Sequence, residues 1–480
     1  MAYRSRRRGW MWLIVAAAAG GAGACDAREP PVEPVATPYK RALSYAEART
    51  VLDAHRDRLP AELAGKTPAE LESSWPRWVE AQDATTRARV ARGDEDSIVN
   101  FWMFGTSFTS RPRATVVDLA PHGGRTAAAE VLLGRLDDLI AALSLPASNE
   151  RLLFVRDALQ QRGLDVTTAA GRDRARAYLI DAHERMLAEN EGYRRSAESA
   201  GRIADEGARL ASFASVYSDR GLSSDTSLPI DFALEETLSA AKSRQHLAAP
   251  VRRVAVIGPG LDFTDKADGQ DFYPVQTIQP FALIDTLVRL GLATAEDLRV
   301  TAFDLSPRVT RHIQEAAVRA ERGTPYTLQL PIVTNDPAHH WEPGFISYWK
   351  RFGDAIGVPA AGLAPPGGAA GVAVRAVNVR PAVVLTITAR DLNVVVERPR
   401  LEDAERFDLV VATNVLVYYD AFQQALALSN IARMLRPGGF LVTNYAMSPS
   451  APMSSAAVFA TTTYWDRERH FDSLFWYQRK

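Results

Sequence analysis

Short, continuous apolar runs alternate with one-sided helical patterns through the second half of the chain. Val254-Ala255-Val256-Ile257 contains no polar position, as expected of a strand buried on both faces of a parallel sheet. Val300 to Phe303, Phe407 to Ala412 and Phe440 to Thr443 read the same way, and the β-branched run Val383 to Thr388 is predicted as a further strand. Between them, Ser306 offers an N-cap and Pro307 a first helical residue for a helix through about Arg319. A second helix runs from about Ala421 to Leu435, and Pro437-Gly438-Gly439 turns the chain into the following strand. The last segment, Ala456 to Thr463 and Asp472 to Gln478, reads as an antiparallel pair around a charged turn. This alternation predicts an α/β fold with a doubly wound, mostly parallel sheet, a C-terminal antiparallel pair, and a ligand at the C-terminal ends of the strands.

The first half is patterned differently and predicts a mainly α-helical domain over residues 44–248. Thr67-Pro68-Ala69-Glu70 is a capping box with proline at the first helical position. Thr126 to Leu143 places Leu132, Leu136, Leu139, Ile140 and Leu143 on one helical face, and Arg151 to Gln161 and Arg172 to Glu189 are similar. Ile98 to Phe108 is dense in aromatics and reads as core of the helical domain or as a substrate-facing or docking surface. The half contains no metal-ligand spacing, no nucleophile motif and no internal repeat.

At 480 residues the chain is long enough for two or three domains. Its 47% apolar and 24% charged residues are those of a globular protein, and a net charge of −1 gives no pull toward nucleic acid. The N-terminus stands apart. Arg4, Arg6, Arg7 and Arg8 precede an apolar stretch, Trp10 to Gly23, shorter than the ~20 residues of a comfortable membrane span. Ala22-Gly23-Ala24 leads into Cys25, the single cysteine of the chain, so no intrachain disulfide can form. The segment resembles a bacterial lipoprotein signal, which implies removal of residues 1–24 and lipidation of Cys25. The partner implied there is a membrane in the cell envelope; without such a signal the protein would be cytoplasmic. Residues 25–43, with Pro30, Pro31, Pro34 and Pro38, then read as a tether.

The candidate chemistry begins at residue 251. The first strand runs directly into Gly258-Pro259-Gly260, where glycine permits a sharp turn and a close approach by a ligand. The second strand ends in Asp304, placed to accept two hydrogen bonds from a ribose cis-diol. Phe407-Asp408-Leu409-Val410-Val411-Ala412-Thr413-Asn414-Val415-Leu416-Val417-Tyr418-Tyr419-Asp420, followed by Leu435-Arg436-Pro437-Gly438-Gly439, resembles the motifs of Rossmann-like class I methyltransferases that use S-adenosyl-L-methionine. The nearest likeness is to the chemotaxis-receptor type, which methylates protein glutamates. The resemblance covers residues 251–480, with an insertion at about 326–381. It implies that Gly258, Pro259 and Gly260 pass close to the cofactor, that Asp304 binds its ribose, that Asp391 and Leu392 frame its adenine, and that Asn414 lies near the methionine moiety or the substrate.

Two departures from the family pattern stand out. The acid usually found two residues before the first glycine is replaced by Val256, and the third glycine by Asp262, which is a candidate for the missing carboxylate. The insertion carries His339, His340, Trp341 and an amphipathic patch from Phe345 to Phe352, readable as a lid or as a structural excursion; adjacent histidines point apart, so no metal site is expected. Methyl transfer asks mainly for positioning. An acceptor needing deprotonation would find Tyr418, Tyr419 or Asp420, which read equally well as a buried aromatic pair and a helix cap. The acceptor itself, a protein carboxylate or a small molecule, is not specified. Two other classes remain open: an envelope-anchored binding or scaffold protein on a catalytically degenerate methyltransferase fold, and a nicotinamide-dependent oxidoreductase, against which the Asn414 to Tyr419 and Pro437 to Gly439 segments argue.

Overall fold

The computed structural model describes residues 39–114, 125–203, 212, 216–217, 220–264, 270–334, 340–365, 371–447, 453–454 and 458–480. Cys25, the tether before Tyr39 and His339 lie outside them. Tyr39–Lys480 forms one compact unit. It begins with β1 (Lys40–Ala42), α1 (Tyr45–Ala54), α2 (Pro68–Phe104), α3 (Arg125–Ser144), α4 (Glu150–Gln161), α5 (Ala169–Gly201) and α6 (Leu228–Ser243). The sheet-forming part follows: β2 (Arg253–Ile257), α7 (Gln279–Arg289), β3 (Arg299–Asp304), α8 (Pro307–Glu321), β4 (Tyr326–Val333), α9 (Pro343–Arg351), β5 (Gly357–Ala360), β6 (Val372–Val379), α10 (Pro381–Val384), β7 (Ile387–Asp391), β8 (Glu397–Pro399), β9 (Phe407–Ala412), α11 (Ala421–Met434), β10 (Leu435–Thr443), β11 (Phe459–Tyr464) and β12 (Phe471–Gln478).

Seven strands form the main sheet in the order β11-β12-β10-β9-β2-β3-β7. The pairs β7–β3, β3–β2, β2–β9 and β9–β10 are parallel, while β12 runs antiparallel to both β10 and β11. The expected doubly wound sheet with its closing antiparallel pair is therefore present. From β2 the chain builds outward through β3 and β7, then returns to the other side of β2 as β9. That reversal opens a crevice beyond the C-terminal ends of β2 and β9, where open α/β sheets bind their ligands.

The apolar runs are continuous because both faces of the sheet are covered. Val254 and Val256 of β2 pack with α6, α7 and α8 on one face, while Ala255 and Ile257 pack with α1, Trp75 and Trp78 of α2, and α11 on the other. Segments before residue 250 thus help to cover both faces. The aromatic end of α2 belongs to a third core with α3, α4 and α5, and that core also takes in Phe263 from the loop after the glycine turn. Phe101 and Phe263 lie 5.7 Å apart, so this stretch is both helical core and docking surface.

Several local expectations are corrected. Val383 to Thr388 is not a strand: Pro381 starts a short helical turn, and the strand begins only at Ile387. The turn expected at Pro437 to Gly439 is a register shift inside β10. Ser306 occupies the N-cap position of α8, but its side chain makes no capping bond. The insertion is a small antiparallel sheet, β4-β6-β5, with α9 packed through Phe345 and Tyr348. Trp341 donates from Nε1 to the Val333 carbonyl at 2.7 Å, and no metal-ligating cluster occurs among the described residues. Among those residues, no helix is long and apolar enough to cross a membrane.

One buried group gives a stability prediction. Asp231 of α6 is 1% exposed, and neither carboxyl oxygen has a hydrogen-bond partner of good geometry. Burial, with Asp472 nearby, pushes its carboxyl up to about 8, opposed only by the Gln279 amide beside it. An unfolded aspartate titrates near ~4, so between about pH 4 and 8 the folded chain holds one more proton than the unfolded one. Stability must then fall as pH rises through that window, by at most about 1.4 kcal/mol per unit. Asp231→Asn is expected to flatten this slope and to raise the melting temperature at pH 8; parallel melting curves from pH 5 to 8 for parent and variant would show the carboxyl to be ionised already.

Candidate active site at the switch point

The crevice holds a cleft, open at its mouth. Its walls come from the ends of four parallel strands: Ile257, Gly258 and Gly260 after β2, Phe303 to Ser306 after β3, Leu392 and Val394 after β7, and Thr413 to Val415 after β9. Both glycines have positive φ, 69° and 66°, a region costly for residues with a Cβ. A Cβ on Gly258 would lie 2.5 Å from Val415 Cγ2, and one on Gly260 2.4 Å from the Ser224 carbonyl oxygen. The glycines are needed for the turn and for close packing by the cleft walls.

Asp304 stands at the end of β3 and faces the cleft. Its Oδ1 accepts from the Ser306 amide at 2.8 Å, and the Gly260 amide also bonds to the carboxylate. Part of its surface stays open, yet the surrounding walls exclude enough water to push the carboxyl up to about 6, against both amide bonds. Phe303, Leu392 and Val394 are apolar members of the same lining. Polar atoms without partners mark the same walls: Ser306 Oγ and Gln279 Oε1, each on a residue 2% exposed, and Asp225 Oδ2. Gln279 Nε2 donates to Thr413 Oγ1 at 2.8 Å. Buried polar atoms are normally satisfied, so three orphans on one cleft indicate a polar ligand.

Of the residues expected at a cofactor site, the fold brings together Gly258, Gly260, Asp304, Leu392 and Asn414. Asn414 keeps a positive φ of 57°, with its amide N–H on Asn444 Oδ1 at 2.8 Å and its Oδ1 accepting from Asn444 Nδ2. Pro259 is buried and does not line the cleft. Asp262 points away: its Oδ2 accepts from Tyr273 and Gln276, and Arg151 bonds to its carbonyl. It is a structural acid of the loop and does not replace the carboxylate missing at Val256.

Asp391 is also spoken for. Its carboxylate receives Lys40 at 2.6 Å and both guanidinium nitrogens of Arg87 at 2.8 and 3.0 Å. Burial alone would raise its carboxyl, but these two cations hold it below the usual range. It anchors β1 and α2 to the end of β7, leaving Leu392 to form the cleft wall. Asp391→Ala is expected to lower the melting temperature by several degrees, consistent with ~1–3 kcal/mol for a half-buried charge pair, and to leave cofactor affinity within about threefold. A tenfold loss of affinity with unchanged melting would restore the adenine role.

The three catalytic candidates separate. Tyr418 lines the cleft; burial raises its hydroxyl above the ordinary phenol range, so it stays protonated. Tyr419 also borders the cleft but is 2% exposed, and burial pushes it up to about 12. Asp420 does not line the cleft; it caps α11, its Oδ1 accepting from the Gln423 amide in a capping box. The remaining wall comes from the helical half: Val90 of α2 and Leu222 to Thr226 of the loop before α6. Nothing in the sequence of that polar loop signals a site, and no described residue of the insertion lines the cleft.

Residues 368–443 match the family model of a methyltransferase domain. That span runs from before β6 to the end of β10 and includes Leu392, Thr413 and Asn414. No curated protein sequence matches the chain. Among solved structures, the N-methyltransferase NodS from Bradyrhizobium japonicum WM9 is 16% identical over 52% of this chain and 96% of its own, with a TM-score of 0.25. The citrinin polyketide synthase CMeT domain is 12% identical over 86% and 97%, with a TM-score of 0.25. The CurJ carbon methyltransferase is 12% identical over 91% and 99%, with a TM-score of 0.23.

Proposed function

We propose that this chain is an S-adenosylmethionine-dependent methyltransferase whose cofactor lies in the cleft at the ends of β2, β3, β7 and β9. The observation that carries the reading is Asp304, a carboxylate presented at the end of the second parallel strand beside two left-handed glycines. Its oxygens suit a ribose diol, and Phe303, Leu392 and Val394 suit a flat adenine. The orphaned Ser306, Gln279 and Asp225 atoms fit a ligand that carries both donors and acceptors. The family match over residues 368–443 supports the same reaction class. The binding-scaffold alternative has no support at this site, because the cleft is open and its glycine turn is intact.

S-adenosylmethionine supplies an already activated methyl group, so this chain contributes binding, alignment and exclusion of water. Tyr418, protonated and lining the cleft, donates a hydrogen bond that orients the acceptor. That role suits an acceptor needing alignment and no deprotonation, and a carboxylate oxygen meets that description. The likeness of Asn414 to Asp420 to the glutamate-methylating type supports the same class. The lipid anchor at Cys25 rests on the basic and apolar residues before it; Cys25→Ser is expected to shift the chain from the membrane to the soluble fraction, and an unshifted chain with intact Met1 would remove the anchor.

Calorimetry with S-adenosylhomocysteine and NAD tests the cofactor. The reading expects one site for the former and none for the latter. Binding of NAD alone would turn the fold into an oxidoreductase.

A further inference from the structure

Asp225 reaches the cleft from the helical half, and its placement is tightly determined. The Leu222 amide donates to the Arg89 carbonyl at 2.9 Å, and the Leu261 amide, directly after the glycine turn, donates to the Ser224 carbonyl at 2.7 Å. Arg308 of α8 donates to Ser224 Oγ at 2.8 Å. Gly93 of α2 permits the approach, since a Cβ there would fall 1.9 Å from the Leu222 carbonyl oxygen. This loop is thus built into the site's wall.

The Asp225 carboxylate itself is only half satisfied. Oδ1 accepts from Ser97 Oγ at 3.2 Å, whereas Oδ2 is buried with no partner. Arg308 is engaged through Nη2 alone, by Asp94 at 3.2 Å and by Ser224 Oγ, while its Nε and Nη1 are buried without partners and its charge acts on Asp94, Asp225 and Asp304 together, without reaching Asp225 Oδ2 as a hydrogen bond. Arg89 is turned onto the carbonyls of Tyr217, Arg220 and Tyr418. A buried carboxylate oxygen without a donor is unfavourable unless a ligand supplies the missing charge or hydrogen.

Its position indicates which part of the ligand does so. The apolar lining residues Phe303, Leu392 and Val394 come from the end of β3 and the segment after β7. Asp225 enters from a different segment, bridged to Leu261 directly after the glycine turn and lining the cleft with Tyr418, so it is assigned to the part of the ligand beyond adenine and ribose.

We infer that Asp225 holds a positive charge of the cofactor, so that the loop 222–226 completes the cofactor site and supplies the acid absent at Val256. The inference rests on the cofactor reading above. S-adenosylmethionine has two such charges, its sulfonium and its α-ammonium.

The test is calorimetry on the full chain and on Asp225→Asn with four ligands: S-adenosylmethionine, sinefungin (an amine in place of the sulfonium), S-adenosylhomocysteine (no sulfonium) and 5′-methylthioadenosine (neither charge). If Asp225 faces the sulfonium, affinity for the first two falls about tenfold or more while the last two stay within twofold. If it faces the ammonium, the first three fall together and methylthioadenosine does not. An equal loss for all four, or no loss for any, overturns the assignment. Should Asp225→Asn melt too low to titrate, Asp225→Glu must keep the preference of the charged ligands over methylthioadenosine, and its disappearance would be equally contrary. A parent that binds none of the four overturns the cofactor reading itself, whereas a parent that binds all of them with Asp225→Asn unchanged overturns this inference alone.

Discussion

Asp304→Ala is expected to lower cofactor affinity by about two orders of magnitude, because two charge-assisted hydrogen bonds of roughly 1.5–3 kcal/mol each disappear, and ~1.4 kcal/mol is tenfold. The unliganded chain should melt within a few degrees of the parent. Replacing the carboxylate loses its bonds from the Ser306 and Gly260 amides, but it also removes a charge that the folded state keeps poorly solvated. The raised carboxyl adds a pH signature. Ionised Asp304 is the better acceptor, so parental affinity should weaken as pH falls below about 6, and in Asp304→Ala this dependence should vanish. Affinity within twofold of the parent, measured by calorimetry, would show that Asp304 only braces the turn into α8.

Gly260→Val is expected to be more severe, abolishing measurable binding and lowering the melting temperature together. Two causes act at once. A φ of 66° is strained for a β-branched residue, and the added Cβ would lie 2.4 Å from the Ser224 carbonyl oxygen. The loop 222–226 must therefore move, carrying Asp225 out of the wall. Gly323 provides the control: its φ is 81°, but nothing lies within 4 Å of its Cβ position. Gly323→Ala should cost about 1–2 kcal/mol of strain and leave binding intact. Equal effects of the two substitutions on affinity would mean that the Gly260 turn matters only as a turn.

The sheet was legible because burial on both faces writes itself into consecutive residues. β9 spans the predicted Phe407 to Ala412, and β2 differs from Val254 to Ile257 only by Arg253. Val383 to Thr388 misled because β-branched residues suit a strand and a buried helical turn alike, and Pro381 decided between them. At the site, strand ends were readable and side-chain allegiances were not. Asp391 occupies the expected place, but its charge belongs to Arg87, 304 positions away in the chain. Ser306 reads as a cap, yet Asp304 takes its amide and its hydroxyl is left without a partner. Leu222 to Thr226 falls within the stretch read as a helical domain and carries no signal of its own; it becomes a wall only through contacts with Arg89, Leu261 and Arg308. Asp262 was the nearest acid in sequence to the missing one, while Asp225 is the one that the fold delivers.

A crystal structure of the chain with S-adenosylhomocysteine bound is the most direct test of the central claim. The expected complex has the ribose hydroxyls on the Asp304 carboxylate, the adenine between Phe303, Leu392 and Val394, and the amino-acid tail running past Gly260 toward Asn414 and the 222–226 loop. Ligand density elsewhere, or a ribose in this cleft that leaves Asp304 unbonded, would contradict it.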